Sequence, residues 1–141
     1  MKRIILDTNI ILRLTDRTGS DHNLSYNLVK KLLSEDCELC IIPQVLIEFW
    51  VVATRPVNTN GFGWDAAYTM MELEKLQNIF VMLPDNESIF TQWKNIVSQG
   101  VHGKRAHDAR IAAAAFAHNA DAIATLNVQD FQNFGIQLIS P

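Results

Sequence analysis

Short apolar runs of the kind that form buried β-strands alternate along this chain with longer segments of helical periodicity. Ile4, Ile5 and Leu6 place apolar side chains on both faces of a predicted strand over residues 3–6, and comparable runs cover residues 39–42, 79–83 and 122–125. A strand that is apolar on both faces is typical of a parallel sheet covered by helices on both sides. The alternation predicts an α/β fold: a three-layer α/β/α sandwich around a central, mostly parallel sheet of four or five strands.

Helices are predicted between these strands from apolar spacing and from capping residues. Pro43 fits the first turn of one helix, Ser20 is a candidate N-cap for another, and Asp85 or Asn86 for a third. The turn-rich residues 55–63 predict a mobile loop. The predicted helices are residues 9–14, 23–33, 43–54, 65–76, 86–98 and 106–118, with a helical turn at 129–133 and a possible edge strand at 137–139.

The composition limits the class of protein. A chain of 141 residues with 48% hydrophobic and 19% charged residues suits one globular domain, which we take as residues 1–141. No apolar stretch reaches the roughly 18 residues of a membrane helix, so we expect no membrane partner. Cys37 and Cys40 form one isolated CxxC, so we expect two reduced thiols in a cytoplasmic protein.

Four acidic residues occupy positions where a charge is costly or suggestive. Asp7 directly follows the first apolar strand, Glu48 is the one charge within residues 45–52, Asp108 is near the start of an alanine-rich helix, and Asp130 follows the fourth strand. In open parallel sheets, ligands gather beyond the carboxyl ends of the strands. Because carboxylate oxygens suit hard divalent cations, the pattern predicts a metal site.

Each acid also has a structural alternative, which the sequence leaves open. Asp7 and Asp130 are reasonable helix caps, and Asp108 is placed to interact favourably with a helix dipole. Glu48 has fewer alternatives, because a carboxylate buried among apolar residues needs a metal ion or a buried arginine beside it. His107 more often hydrogen-bonds locally than transfers protons, so we do not assign it as a general base.

Basic residues surround one of the acids. The formal net charge of −3 argues against a broad basic surface that holds nucleic acid, so a polyanionic substrate would need local help from bound cations or a small basic cluster. Lys104, Arg105 and Arg110 flank Asp108 as they would in a phosphate-cleaving site. These three are therefore the predicted contacts to a nucleic acid.

At this point four segments make the chain resemble the PIN-domain ribonucleases, and most of all the VapC-type toxins of bacterial toxin-antitoxin pairs. The segments are residues 6–13 (LDTNIILR), 42–48 (IPQVLIE), 107–113 (HDARIAA) and 124–131 (ATLNVQDF). They occur in order and span nearly the whole chain. The resemblance implies a PIN-like fold and an endoribonuclease that depends on Mg²⁺ or Mn²⁺.

The resemblance also implies roles for individual residues. Asp7, Glu48 and Asp108 match the first three acids of the family. Many relatives have a fourth acid where this chain has Asn127, so either Asp130 takes that role or only three acids act, and the number of metal ions stays open. Asp7 and Asp108 are expected to bind the principal metal, with Glu48 and Asp130 completing its shell or orienting water. Supporting hydrogen bonds are expected from Thr8, Asn9, Thr125 and Asn127.

Partners follow from the same resemblance. An RNA substrate is implied, together with a small antitoxin whose tail enters the acidic groove, and a homodimer. Phe62, Trp64 and Trp50 are candidate apolar contacts for such partners, although aromatic residues are more often part of a core.

Three different functions compete with this hypothesis. An aspartyl phosphatase also begins with an aspartate behind its first strand, but it needs a second acid where this chain has Asn9. A PIN scaffold that binds RNA or protein without cutting is the second competing function. A DNA-directed nuclease on the same fold is the third, and a comparison of substrates distinguishes it from a ribonuclease.

Overall fold

A five-stranded, all-parallel sheet forms the centre of the protein, which we describe from a computed structural model covering residues 1–141. The sheet order is β3-β2-β1-β4-β5, with β1 pairing to both β2 and β4. The parallel α/β architecture predicted from the apolar runs is confirmed, including the edge strand. The strands are β1 (Arg3–Leu6), β2 (Glu38–Ile41), β3 (Val81–Met82), β4 (Ala122–Ala124) and β5 (Gln137–Ile139).

Six helices cover the two faces of the sheet. The chain moves outward from β1 to β3 through the first four helices and then crosses back to β4 through the last two, so right-handed crossovers place the two groups on opposite faces. The helices are α1 (Thr8–Thr15), α2 (His22–Ser34), α3 (Pro43–Thr54), α4 (Ala66–Ile79), α5 (Glu87–Val97) and α6 (Arg105–Ala117). No helix is both long enough and apolar enough to span a bilayer.

The core explains why α6 lies so close to the sheet. The side chains of Ile4, Ile5 and Leu6 are fully buried, as are the alanines of α6 from position 112 to position 115. Alanine has the smallest side chain that still favours a helix, so this helix packs tightly against the strands. As α6 leads directly into β4, its first turn lies at the carboxyl edge of the sheet.

The topology reverses direction beside β1. From β1 the chain first builds the sheet toward β2 and β3, and later adds β4 on the other side of β1. The carboxyl ends of β1 and β4 therefore border the topological switch, where open parallel sheets bind ligands. Asp7 follows β1 and Thr125 follows β4, so both stand at that switch.

Several element boundaries differ from the predictions. Ser20 is not an N-cap: α2 begins at His22 after Asp21, whose side chain makes no capping hydrogen bond. The predicted strand over residues 79–83 shortens to Val81–Met82, because α4 continues through Ile79. Of the two alternatives Asp85 and Asn86, Asn86 is the cap, because its amide oxygen accepts the N–H of Ile89. Asp65, for which no cap was predicted, caps α4 by accepting the N–H of Tyr68.

The segment predicted as a mobile loop is a compact turn. Residues 55–63 contain a short 3₁₀ helix, Val57–Thr59, and the segment is tied to α3 by hydrogen bonds from Phe62 N–H to Val52 O and from Trp64 N–H to Ala53 O. Gly61 is required there, because a β-carbon would lie 1.9 Å from the carbonyl oxygen of Arg55. Backbone hydrogen bonding that the turn composition did not reveal holds this segment in place.

Candidate functional site

Asp7 is buried at the end of β1, with 6% of its surface exposed. One carboxylate oxygen accepts the N–H of Thr8 at 2.7 Å, so the N-cap alternative is confirmed, and the other oxygen accepts the Thr125 hydroxyl at 2.7 Å. Burial raises the pKa of Asp7 to about 6; its two hydrogen bonds act against that rise, and the charges of Asp108 and Glu48 add to it. The carboxylate therefore caps α1 and also faces other acids.

Glu48 lies in α3 as predicted but is only partly buried, so the expectation of a carboxylate buried among apolar residues was wrong. The apolar residues of α3 are divided between two sides: Phe49 packs into the core, whereas Ile47 and Val51 are 64% and 53% exposed. Glu48 lies between these sides. Its oxygens accept the Thr8 hydroxyl at 2.6 Å and the Gln44 amide at 3.2 Å, so hydrogen bonds satisfy it directly.

Asp108 lies in the first turn of α6, as the dipole alternative requires, and is half-buried. The pKa of Asp108 is raised to about 6, first by burial and then by the charges of Asp130 and Glu48. Arg105 and His107 lower this pKa without cancelling the rise. Together with its effect on Asp7, this couples Asp108 electrostatically to all three of the other predicted acids.

Asp130 is exposed on a 3₁₀ turn, Val128–Phe131, that follows β4. Its charge is the largest acidic contribution to the raised pKa of Asp108. Asn127 is also exposed, and its backbone N–H donates to Thr125 at 3.0 Å. Of these two candidates for the fourth position, Asp130 carries the charge coupled to Asp108.

Hydrogen bonds from the predicted supporting residues join the ends of β1 and β4. Asn9 accepts the N–H of Leu126 at 3.1 Å and donates to the Thr125 hydroxyl at 3.4 Å. Since Thr125 in turn donates to Asp7, its hydroxyl group is at the centre of this network. Asn9 is therefore used as a bridge between neighbouring strand ends.

The three basic residues predicted to contact nucleic acid differ in their surroundings. Arg105 donates to the carbonyl oxygen of Gln132 at 2.9 Å, and its guanidinium lies 4.8 Å from the centre of the Phe134 ring, so it holds the 3₁₀ turn against α6. Arg110 forms a salt bridge with Asp85, with 3.2 Å between a guanidinium nitrogen and a carboxylate oxygen. Lys104 is exposed at the start of α6. Contact with RNA stays a prediction for all three.

Gln44 is a member of the site that sequence reasoning missed. Its buried amide donates to Glu48 at 3.2 Å and to the carbonyl oxygen of His107 at 2.8 Å, and it accepts from Arg110 at 3.0 Å. The orientation of the amide is unambiguous, because arginine can only donate and a carboxylate can only accept. An arginine thus does act on Glu48, but through Gln44. A polar residue among apolar neighbours directly after Pro43 was the available signal.

The donor set fits a hard divalent cation. The acids that converge at the switch present only oxygen atoms, the ligands that Mg²⁺ and Mn²⁺ prefer. No three carboxylate, imidazole or thiol groups have the spacing of a formed metal shell, and the oxygens of Asp7 and Glu48 point to hydroxyl and N–H donors. A cation beside these carboxylates would offset the cost of their burial and the repulsion from neighbouring acids, which together raise the pKa values of Asp7 and Asp108.

The CxxC cysteines are separate from this site. Cys37 and Cys40 are both free thiols, as predicted, and Cys40 is buried in β2. Burial and the neighbouring Glu38 raise the pKa of Cys40 to about 12, so this thiol is unreactive at neutral pH.

Comparison with protein families identifies the fold family. The sequence profile of the PIN domain matches residues 4–136, so the chain belongs to the PIN domain family. A search of curated proteins found no match.

Solved structures with the same fold come from several bacteria. A chain of VapBC2 from Rickettsia felis, crystallised with a promoter DNA fragment, has a TM-score of 0.74 and 18% identity over 99% of this chain and 98% of that chain. A chain of VapBC-1 from nontypeable Haemophilus influenzae has a TM-score of 0.68 and 22% identity over 98% of this chain and 97% of that chain. VapC20 from Mycobacterium tuberculosis, described as a sarcin-ricin loop cleaving toxin, has a TM-score of 0.59 and 14% identity over 85% of this chain and 86% of that chain.

The raised pKa values predict how stability depends on pH in metal-free protein. Asp7 and Asp108 have pKa values of about 6 in the folded chain and ordinary values of 3.8 in the unfolded chain, so the folded chain binds their protons more tightly. Their contribution to stability is therefore complete below about pH 4 and is lost as the pH rises through about 6. The melting temperature should therefore fall between pH 5 and pH 7.5 in EDTA. Asp7→Asn should reduce that fall, and raise stability at pH 7.5 by up to about 3 kcal/mol.

The matched control for this experiment is Glu74→Gln on the exposed side of α4. Asparagine retains a capping oxygen for Thr8, so Asp7→Asn should not unfold α1. Equal pH dependence of the melting temperature in the parent protein and Asp7→Asn would show that the ionised Asp7 carboxylate does not destabilise the folded protein.

Removing the Gln44 amide should loosen Glu48 and weaken cation binding. Partners that orient metal ligands typically contribute about tenfold to a hundredfold to metal affinity. We expect Gln44→Leu to weaken Mn²⁺ binding, measured by electron paramagnetic resonance, by at least about tenfold. Gln77→Leu on the exposed surface of α4 is the control, and equal Mn²⁺ affinities in the two variants would show that Gln44 has no such role.

Proposed function

We propose that the protein is a metal-dependent endoribonuclease that hydrolyses RNA phosphodiester bonds, and that it acts as the toxin of a toxin-antitoxin pair. The observation that carries this proposal is the pair of acids Asp7 and Asp108, whose pKa values both reach about 6 at the switch point of a PIN-domain sheet. Folding buries these carboxylates near other acids although burial and repulsion destabilise the metal-free protein. A functional cation accounts for that cost.

Asp7 and Asp108 are the proposed ligands of the principal Mg²⁺ or Mn²⁺ ion. Glu48 and Asp130 complete the acidic set, by ligation or by orienting water. The hydroxyl groups of Thr8 and Thr125 fix the directions of Glu48 and Asp7. Asn9 and Asn127 act on the same network through Thr125.

A bound divalent cation supplies two effects that phosphodiester hydrolysis needs: it lowers the pKa of a coordinated water and neutralises charge that grows on the phosphate oxygens. The chain itself positions the groups around the phosphate. Asp7 is held by two hydrogen bonds and Glu48 by two more, so little motion is required when the substrate arrives.

RNA and an antitoxin are the proposed partners. VapC20, which shares the fold, is described as cleaving the sarcin-ricin loop, and the Rickettsia and Haemophilus structures are VapBC assemblies. These names support a nuclease toxin that is held by a second protein. Co-purification with a small protein encoded next to this chain, with loss of RNA cleavage in the complex, is the test of the antitoxin.

A homodimer is proposed from the exposed side of α3. Ile47 and Val51 are exposed there, and with Trp50, Met70 and Leu73 they border an apolar cleft of about 440 Å³ between α3 and α4. The remaining two aromatic candidates, Phe62 and Trp64, instead pack against the core. Apolar surface of this kind on a small protein often marks a contact with another chain.

Two further expectations belong to this proposal. We propose that residues 1–141 act as a single domain and that the protein works in the cytoplasm, where its RNA substrate is found. Limited proteolysis that leaves one stable fragment of nearly full length tests the first, and cell fractionation tests the second.

The central experiment is cleavage of a mixed pool of single-stranded RNA. We expect cleavage with Mg²⁺ or Mn²⁺, none in EDTA, and a loss of at least about a hundredfold in Asp108→Asn, because that change removes a proposed metal ligand. Glu74→Gln, an acid-to-amide change on exposed α4, should cleave like the parent protein.

Different results of this experiment identify the competing functions. Cleavage of single-stranded DNA in preference to RNA would replace the proposed substrate. Binding of RNA that is equal in the parent protein and Asp7→Asn, with cleavage in neither, would identify a non-cleaving scaffold.

Oligomeric state tests the proposed dimer contact. Light scattering should give about twice the chain mass of 15.9 kDa for the parent protein. Val51→Glu places a charge on the exposed apolar side of α3 and should yield a folded monomer. A monomeric parent protein would contradict the proposed interface.

A further inference from the structure

A second feature near the acids is a cleft of about 350 Å³ between α5 and the start of α6. Phe90 and Trp93 line it from α5, and His107 and Arg110 line it from α6. The cleft is separate from the carboxylates, yet His107 directly precedes Asp108 in the chain. Nothing in the proposed metal chemistry uses these aromatic side chains.

The aromatic side chains form an accessible platform, of which the Trp93 ring is held by a hydrogen bond. The rings of Phe90 and Trp93 have centroids 5.6 Å apart and planes inclined by 22°, so they are stacked. The indole N–H of Trp93 donates to the carbonyl oxygen of Ala106 at 2.8 Å, which fixes the ring against α6. Phe90 is nevertheless 61% exposed. A flat apolar surface is therefore held open to solvent in a defined orientation.

Positive charge and hydrogen-bonding groups border the platform. The Lys94 ammonium lies 5.6 Å from the centre of the Phe90 ring, and Arg110 lines the opposite wall of the cleft. Asn86 and His107 add polar groups. The chain as a whole has a net charge of −3, so cations beside aromatic rings are a local exception. Such a surface complements a nucleic acid, which carries both aromatic bases and negative charge, better than it complements an apolar protein surface.

The cleft is also connected to the acids through Arg110. One nitrogen of its guanidinium donates to Gln44, which donates to Glu48. Another nitrogen lies 3.2 Å from Asp85, which is 49% exposed. A ligand in the cleft would therefore contact Arg110, which is linked through Gln44 to Glu48, a proposed catalytic acid.

We propose that this cleft binds the base of a nucleotide next to the cleaved phosphate of single-stranded RNA, with the base stacked on Phe90 and Trp93. The inference rests on the proposed ribonuclease function and adds a substrate subsite to it. Stacking on an aromatic side chain tolerates every base, because each base has an aromatic face. The subsite would therefore strengthen binding of unpaired RNA without reading a particular sequence.

Phe90→Ala tests the subsite, with Phe90→Trp as the matched control that keeps an aromatic face. In EDTA, where no cleavage is expected, the dissociation constant for a labelled oligoribonucleotide should rise about tenfold in Phe90→Ala and stay near the parent value in Phe90→Trp, as loss of one stacked base predicts. With metal present, KM should rise by a similar factor while kcat is unchanged. Because Phe90 is exposed, both variants should retain the parent melting temperature.

The outcomes separate this inference from the proposed function. Cleavage by Phe90→Ala with an unchanged KM overturns the subsite and leaves the ribonuclease intact. RNA binding that depends on Phe90, without cleavage under any metal condition, supports the subsite and overturns the ribonuclease. Failure of the parent protein both to bind and to cleave RNA overturns both. Conversion of a dimer into a monomer by Phe90→Ala, with RNA affinity unchanged, would mean that this side of α5 contacts protein instead.

Discussion

The burial of carboxylates, together with the repulsion between them, is the physical constraint around which this structure is organised. Asp7, Glu48 and Asp108 belong to three elements that are far apart in the chain, and bringing their charges together opposes folding. Burial of Asp7 and Asp108 is the larger cost, and together with the repulsion from neighbouring acids it raises their pKa values to about 6. The apolar core supplies the opposing free energy, above all through the buried strand β1 and the alanine side of α6.

Hydrogen bonds convert this unfavourable cluster into a defined geometry. Thr125 holds Asp7 from the neighbouring strand, and Thr8 holds Glu48 from the helix that Asp7 caps. Gln44 extends the network to α6 by bonding the carbonyl oxygen of His107 and the guanidinium of Arg110. Asp7 and Glu48 are therefore each positioned by an element other than their own, so the site is rigid only when the whole sheet edge is assembled.

Predictions from the sequence succeeded where local pattern and tertiary environment agree. The apolar runs predicted β1 to β4, most clearly the fully covered strands β1 and β4, because strands covered on both faces need apolar residues at every position; β5 was predicted only as a possible edge strand. The prediction of burial was less successful at α3, because its apolar residues are divided between the core and an exposed side. Glu48 is therefore less buried than its apolar neighbours indicated. Residues 55–63 contain many turn-forming residues, but long-range backbone hydrogen bonds to α3 make them a compact turn.

The sequence alone determined the class of fold and the residue types of the site, because periodicity, turn residues and isolated acids are local properties of a chain. It also indicated that Asp7 and Asp130 lie at the carboxyl edge of the sheet, since both follow predicted parallel strands. Only the tertiary structure decided that Gln44 bridges Glu48 and Arg110, that Arg105 holds a 3₁₀ turn, and that Phe90 and Trp93 form an open platform. Those relations depend on distances between side chains of different elements, which packing sets and which no local pattern encodes.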